Sequence, residues 1–516
     1  MHLPRWIPFT PLASHATASS PAPSFAFSTA IFLRALALIH AIAFASFWTQ
    51  LSGLIGPHGI LPAAHYLEAV REHLGASAYL QLPTLAWLFG ADTSLHVLCA
   101  FGLLSASLLF LGIAPLLNLI ALWLAYLSLV NVGQLFLGFQ WDALLLETTF
   151  LSIFLALPFR WRRGAPTAQS NAPTARPEPP PLARYLLRWL LFRLMLLSGI
   201  VKLTSGDATW RDLTALTFHF ETQPLPNPLA YFVHHLPASF HRATCAGMFF
   251  LELVVPFFLF APRRIRHNAA LLLAALQIAI FLTGNYTFFN LLTLALCLLN
   301  LDDRFYQTLL RRPAKCHIMY DTSIPPPPRP LRLLALTAAA LLVLFTSVQA
   351  LPSLHRSFHP PDWFNSLAAH VAPFRTFNNY GLFAVMTTSR PELIIEGSDD
   401  RRTWHAYELP YKPGDLSRPP PIVAPHQPRL DWQLWFAALG SPDQNRWLLP
   451  LCEHLLRGTP EVLALFSHNP FPDRPPRHLR IVRYDYRFTS PDQHAATARW
   501  WDRTPLDFYI PPISLQ

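Results

Sequence analysis

Nine apolar stretches, each close to bilayer-spanning length, precede a polar C-terminal third with almost balanced charge, and no other feature constrains the chain as strongly. A spanning segment needs about 20 mostly apolar residues and must satisfy its own backbone hydrogen bonds, so each stretch is expected to be a helix. The pattern predicts helices at 25–48, 95–113, 115–132, 141–157, 186–203, 243–260, 268–284, 287–301 and 333–351. The ninth, Leu333 to Leu351, is uncharged, with only Thr337, Thr346, Ser347 and Gln349 as polar residues. The seventh and eighth are short: they form a tight pair around Gly284-Asn285-Tyr286, or one of them is re-entrant.

The formal charge of +10 is unevenly placed. Residues 1–351 hold 22 Lys/Arg against 13 Asp/Glu, whereas residues 352–516 hold 17 against 16, so the excess belongs to the membrane half and no nucleic-acid partner is expected. The positive residues cluster as Arg160, Arg162, Arg163, Arg176 and Arg184, then Arg263, Arg264 and Arg266, then Arg304, Arg311, Arg312, Lys315, Arg329 and Arg332. Arginine-rich connections stay in the cytoplasm. Connections 49–93 and 204–242 instead balance Arg71, Arg211 and Arg242 with Glu68, Glu72, Asp92, Asp207, Asp212 and Glu221, as translocated loops do. Alternation then gives a cytoplasmic tail at 1–24, a transmembrane domain at 25–351 and an extracytoplasmic domain at 352–516. The run from Phe25 to Trp48 is too long for a signal-peptide core and is read as a retained span.

The expected fold is therefore a polytopic α-helical membrane bundle of about nine spans plus a C-terminal extramembrane β-rich (α+β) domain. Pro166 to Pro181 and Pro325 to Pro330 are proline-rich spacers, and Pro62 to Leu74 has the apolar spacing of an interfacial helix. In the last third, Gly381 to Thr388 and Glu392 to Glu396 alternate as strands do. The turn Gly397-Ser398-Asp399-Asp400 leads into Thr403 to Leu409 as a hairpin. Trp432 to Leu439, Trp447 to Leu456 and Pro460 to Ser467 have helical patterns, and His478 to Thr489 reads as a half-buried strand. Of Cys99, Cys245, Cys297, Cys316 and Cys452 only the last falls in the outer domain, so neither a disulfide framework nor a Cys-x-x-Cys redox site is expected there.

Charges inside the hydrocarbon are costly unless paired or hydrated, which makes Arg34, Asp142, Glu147, Arg188, Arg193, Lys202 and Glu252 the residues to explain. Asp142 and Glu147 lie about 140° apart around a helix and so serve different partners. Two readings are open for the intramembrane polar residues Asp142, Glu147, Arg193 and Lys202. They form structural ion pairs, with Asp142 and Arg188 at interfaces, or Glu147, Arg193 and Lys202 line a polar cavity. His234, His235 and His241 lack acidic or Cys partners at ligand spacing, so no metal is expected, and no phosphate loop or nucleophile elbow implies a cofactor or catalytic site. Asn285-Tyr286-Thr287 matches a glycosylation acceptor but lies against the membrane, and is discounted.

The segment Lys202-Leu203-Thr204-Ser205-Gly206-Asp207, with Trp210-Arg211-Asp212 and then His219-Phe220-Glu221-Thr222-Gln223-Pro224, resembles the lipase maturation factor family. Similar wording recurs in Phe139-Gln140-Trp141-Asp142 with Glu147, in Asn285-Tyr286 with Asn290, and in Tyr380-Gly381. It continues through Arg390-Pro391-Glu392, Glu396-Gly397 and the run His426-Gln427-Pro428-Arg429-Leu430-Asp431-Trp432. The resemblance implies an endoplasmic-reticulum membrane protein with a lumenal C-terminal domain, a chaperone-like factor that helps secreted dimeric lipases fold. Its partners would be membrane lipids and a secreted client such as a lipase. The chain ends Ile513-Ser514-Leu515-Gln516, without an ER-retention signal, and its 36 arginines against 3 lysines suggest a GC-rich, bacterial genome. The membrane would then be the cytoplasmic one and the outside the periplasm. A second resemblance, Gly199-x-x-Lys202-Leu203 before Trp210, is to the membrane domain of vitamin K-dependent gamma-carboxylases and implies an alternative in which Lys202 is a catalytic base.

Overall fold

The computed structural model describes residues 24–89, 91–157, 179–311 and 328–515. The N-terminal tail up to residue 23, the arginines at 160, 162, 163, 176 and 312, Lys315, Cys316, most of the first proline-rich spacer and half of the second lie outside the described residues.

Each of the nine apolar stretches is helical. In chain order these are α1 (Ala26–Trp48), followed by the connecting helix α2 (Ala63–Leu74), then α3 (Ala91–Leu111), α4 (Pro115–Val132), α5 (Gln140–Ile153) and α6 (Pro181–Thr204). After α7 (Ala215–Thr222) come α8 (Ala238–Leu253), α9 (Arg263–Thr283), α10 (Phe289–Leu298) and α11 (Arg329–Leu354). Six of these regions are long and apolar enough to cross a membrane: α1, α3, α4, α8 with its extension to Phe260, α9 and α11. Pro256 lacks the amide that would continue α8, so the chain tightens there into the 3₁₀ turn Val255–Phe260. α10 has only 10 residues, in keeping with the short eighth stretch.

α1 packs on α3 and α10, α5 and α11 both pack on α6, and α9 packs on α10. The helices run between two distinct ends. At one end Ser24 donates to Asp303 (2.7 Å) and Arg263 pairs with Asp302; at the other, Ser46 and Gln50, at and just beyond the C-terminus of α1, meet Gln427.

Beyond α11 the chain forms α12 (Asp362–Val371), strands β1 (Pro391–Ser398) and β2 (His405–Tyr407), helices α13 (Arg429–Ala438) and α14 (Leu448–Arg457), then β3 (His478–Phe488) and β4 (Trp501–Ile513). The sheet order is β2-β1-β3-β4, antiparallel throughout, and the expected hairpin exists with Ile395 opposite Tyr407. Sheet and helices share one apolar core with the bundle: Leu393, Trp432, Leu451 and Ile481 belong to the same buried cluster as Phe32, Phe44 and Leu144.

Two expectations fail. Pro460 to Ser467 keeps only one helical turn, Pro460–Leu463. Gly381 to Thr388 is not a strand, because its backbone groups bond to side chains of the membrane half. Gly381 N–H donates to Gln140 Oε1 (3.2 Å), Met386 N–H donates to Asp207 Oδ2 (2.6 Å), and Phe383 adopts a left-handed φ of 56°.

Candidate functional site

The residues singled out in the sequence converge on the seam between the helices and the C-terminal region. Asp142 opens α5 and is fully buried. Arg429 opens α13, where Pro428 precedes the helix without needing an amide partner. The guanidinium forks onto Asp142 (Nη1 to Oδ2 3.0 Å, Nη2 to Oδ1 2.9 Å), gives a further bond to the Phe136 carbonyl (2.6 Å), and is joined there by the Tyr126 hydroxyl, 2.5 Å from Oδ1. The preceding residues fix the register. Trp141 Nε1 donates to Gln427 Oε1 (2.6 Å), Gln427 N–H donates to Ser46 Oγ (2.9 Å), and Arg429 N–H donates to Gln50 Oε1 (2.8 Å). Trp432 packs edge-on against Trp141, with centroids 4.8 Å apart. A bidentate pair of this kind offsets its desolvation only while both partners are present.

Glu147, five residues on, faces elsewhere. It pairs with Arg193 of α6 and accepts from Asn378 N–H (3.1 Å), Asn378 Nδ2 (3.1 Å) and the Tyr380 hydroxyl (2.7 Å), while Arg193 Nη1 donates to the Asn378 carbonyl (2.9 Å). Four donors fill the capacity of one carboxylate. The chain leaving α12 therefore occupies the space that a polar cavity would require.

Lys202 does not join that group. Its ammonium donates to both oxygens of Glu252 (3.0 and 2.8 Å) and to the Ser198 carbonyl (3.0 Å), and it sits 5.5 Å from the Trp210 ring centroid. Gly199 allows α6 and α8 to meet at this point: a Cβ there would lie 2.7 Å from Leu253 Cδ2. The four residues Asp142, Glu147, Arg193 and Lys202 are thus distributed over three closed pairs. Arg188 bonds Asn300 (2.8 Å) toward the opposite end of the bundle.

Three further motif groups complete the seam. Arg390 clasps the 221–224 turn through the carbonyls of Glu221 (2.7 Å), Gln223 (2.5 Å) and Pro224 (2.9 Å), and pairs with buried Glu392 (2.7 Å), which also holds Lys412 (3.0 Å). Tyr286 donates to Gln223 Oε1 (2.9 Å) and contacts His219 Nε2 (3.3 Å). Asn285 Nδ2 donates to the carbonyls of Leu225, Pro226 and Pro421, and its Oδ1 accepts from Val423 and Ala424, so the amide is committed five times and is 3% exposed. Such a side chain is closed to a glycan. Asn290 joins α10 to Gln277 of α9 (2.8 Å), and Glu396 bonds Arg480 across β1 and β3 (2.7 Å). Pro391 and Gly397 belong to β1, opposite Asp485 and Leu479. Arg211 and Asp212 stay exposed at the surface.

Burial governs several titrating groups of the seam. It pushes the Asp431 carboxyl up to about 6 although Tyr411 and Lys412 amides donate to it, and raises Glu221. It lowers His219, His234 and His426 to about 4 each, helped at His219 by the nearby Lys202 charge and at His426 by Arg429. Among the described residues, no group of three or more His, Cys, Asp or Glu could hold a metal ion. Ser46, Gln50, Tyr126 and Asn378 were not anticipated; two polar residues ending the otherwise apolar α1 region are the signal that pointed to the first two.

Comparison with known proteins covers the same extent. The family model for the lipase maturation factor transmembrane domain matches residues 27–308, and that for the lipase maturation factor C-terminal domain matches residues 376–511. Lipase maturation factor 2 of Mus musculus is 38% identical, over 94% of this chain and 83% of its own length. Lipase maturation factor 1 is 37% identical in Mus musculus, covering 94% and 87%, and 35% identical in Homo sapiens, covering 98% and 92%. No solved structure matches.

Proposed function

The chain belongs to the lipase maturation factor family, and from that premise we propose that this integral membrane protein folds or matures a secreted client, a lipase by the naming of its relatives. The observation that carries the reading is the seam: the buried Arg429–Asp142 pair, the bonds of Asn378 and Tyr380 to Glu147, and those of Arg390 to the 221–224 carbonyls hold the C-terminal region, from Asn378 to Trp432, against the helices. A client-facing domain held rigidly against the membrane can meet a chain as it is exported.

The proposed topology is nine crossings, with 1–24 cytoplasmic, 25–351 in the membrane and 352–516 outside, in the endoplasmic-reticulum lumen or the periplasm. Two observations support it. Successive helices α1, α3, α4, α5, α6, α8, α9, α10 and α11 alternate between the Asp302 end and the Gln427 end, and Arg263, Arg266 and Arg304 gather at the former, opposite the sheet. Arginines favour the cytoplasmic side. The carboxylase-like alternative has no support: the family is a different one, and all three donors of Lys202 are committed to Glu252 and Ser198.

The test is complementation. Cells lacking their own maturation factor, supplied with this chain and a secreted lipase, should release active lipase in proportion to the factor's abundance. The double substitution Lys202→Met with Glu252→Leu, which removes the charge pair as a unit, should keep that rescue. Loss of rescue in the double variant at matched abundance and stability would restore Lys202 as a reacting group, and no rescue by the wild-type chain would reject the client assigned here.

A further inference from the structure

A cavity of about 860 Å³ separates α11 from the rest of the bundle, within the ~300–1,000 Å³ range of ligand sites. Its walls come from α5, α6, α11 and α12, and every residue lining it is apolar, among them Phe154, Leu186, Ala335, Ala338, Phe345 and Trp363. The opening has a plain cause. α11 docks on α6, where Trp189 Nε1 donates to Thr346 Oγ1 (3.0 Å) and Thr204 Oγ1 donates to the Ser353 carbonyl (2.9 Å), and only 11% of its apolar stretch is buried. The alanines facing the gap are too small to close it.

Water gains nothing from a wholly apolar chamber, and the surrounding solvent is hydrocarbon. Along α11 the lining runs from Leu331 to Val348, about 26 Å of helix, which exceeds the ~15 Å half-thickness of the core that one acyl chain fills. The two mouths differ in chemistry. At one, Leu331 of the lining adjoins Arg332 in sequence, with Arg329 two residues before it, while Arg184, next to Ala183, lies over the Phe25 ring at the start of α1 (3.9 Å to the centroid). At the other lies amphipathic α12, whose Trp363 is 69% exposed, a residue type that sits at the membrane interface. Basic residues beside an apolar groove favour anionic headgroups.

We propose that this cavity is a lipid site: it holds one acyl chain of an anionic phospholipid, with the phosphate at the Arg329 and Arg332 end and the tail directed toward Trp363. The assignment is independent of the client. It rests on the position of the cavity between membrane helices and on the charge at one mouth.

The test uses the full chain reconstituted in vesicles containing phosphatidylglycerol or phosphatidylcholine probes with photoreactive acyl chains, with labelled peptides mapped. The phosphatidylglycerol probe should label 331–348 and 363–371. Filling the cavity with Ala335→Phe and Ala338→Phe, or with the milder Ala338→Leu should the pair not fold, should lower that labelling several-fold while leaving labelling at outward-facing Leu271 and Ile278 unchanged. Arg329→Gln with Arg332→Gln should abolish the preference for phosphatidylglycerol. Equal labelling of wild-type and filled proteins would reduce the site to ordinary surrounding lipid, equal labelling by the two headgroups would overturn the anionic assignment, and protein–protein crosslinks through α11 in place of lipid adducts would make the groove a contact between copies of the chain.

Discussion

Asp142 and Arg429 lie 287 positions apart and are both nearly inaccessible, so each is the other's solvent. Removing one member leaves a buried charge whose cost, about 3–5 kcal/mol, is the desolvation the pair had offset. Arg429→Met should therefore lower the unfolding temperature of the solubilised protein sharply, and Asp142→Leu with Arg429→Leu should recover most of the loss; equal instability of single and double variants would show that the pair is not the cause. The histidines give a second expectation. His219, His234 and His426 titrate near 4 when folded against an ordinary value near 6.5, so the stability they contribute is complete above about 6.5 and is lost as pH falls toward 4. Asp431, held up to about 6, has the opposite sign: its carboxyl favours the folded state at low pH and loses that contribution as pH rises through 6. The three histidines oppose the two raised carboxyls, Asp431 and Glu221, so the unfolding midpoint should fall between pH 7 and 5, and more steeply in Asp431→Asn; a flat or rising midpoint would contradict this.

The turn after α9 gives the plainest case of an element built by one side chain. Asn285 sits in an acceptor sequence for glycosylation, yet its amide joins the 225–226 turn to the 421–424 segment. In a eukaryotic host, deglycosylation should leave the electrophoretic mobility of the protein unchanged, and a shift would place Asn285 in solvent. The helices were legible because a spanning segment must be apolar over its whole length, and the observed ends fall within a few residues of the expected ones except where proline or arginine extends them, as in Pro181–Thr204. The segment at Gly381 to Thr388 misled because strand-like alternation does not reveal that Gln140 and Asp207 bind its amides. β4 went unpredicted because Pro505, Pro511 and Pro512 argue against a strand, a cost that an edge position tolerates. The pairing of Asp142 with Arg429 was not readable from spacing at all, although both residues stood in family wording.

At the scale of the molecule, one core, the buried Asp142–Arg429 pair and the bonds of Glu147 to Asn378 and Tyr380 and of Arg390 to the 221–224 carbonyls make bundle and sheet a single body, so the C-terminal region is not an appendix that can be cut away cleanly. Cutting at residue 360 strips Glu147 of Asn378 and Tyr380 and Asp142 of Arg429. Maturation activity should therefore depend on the seam and not on either half alone. The most direct measurement is the yield of active secreted lipase, per lipase synthesised, from cells carrying wild-type, Arg429→Met or the Asp142→Leu, Arg429→Leu double variant at matched membrane abundance. The single variant should lose most of the rescue and the double variant should regain it. Full rescue by Arg429→Met, with its seam shown to be open by protease cleavage between α12 and β1, would contradict a function that requires the two parts to be locked together.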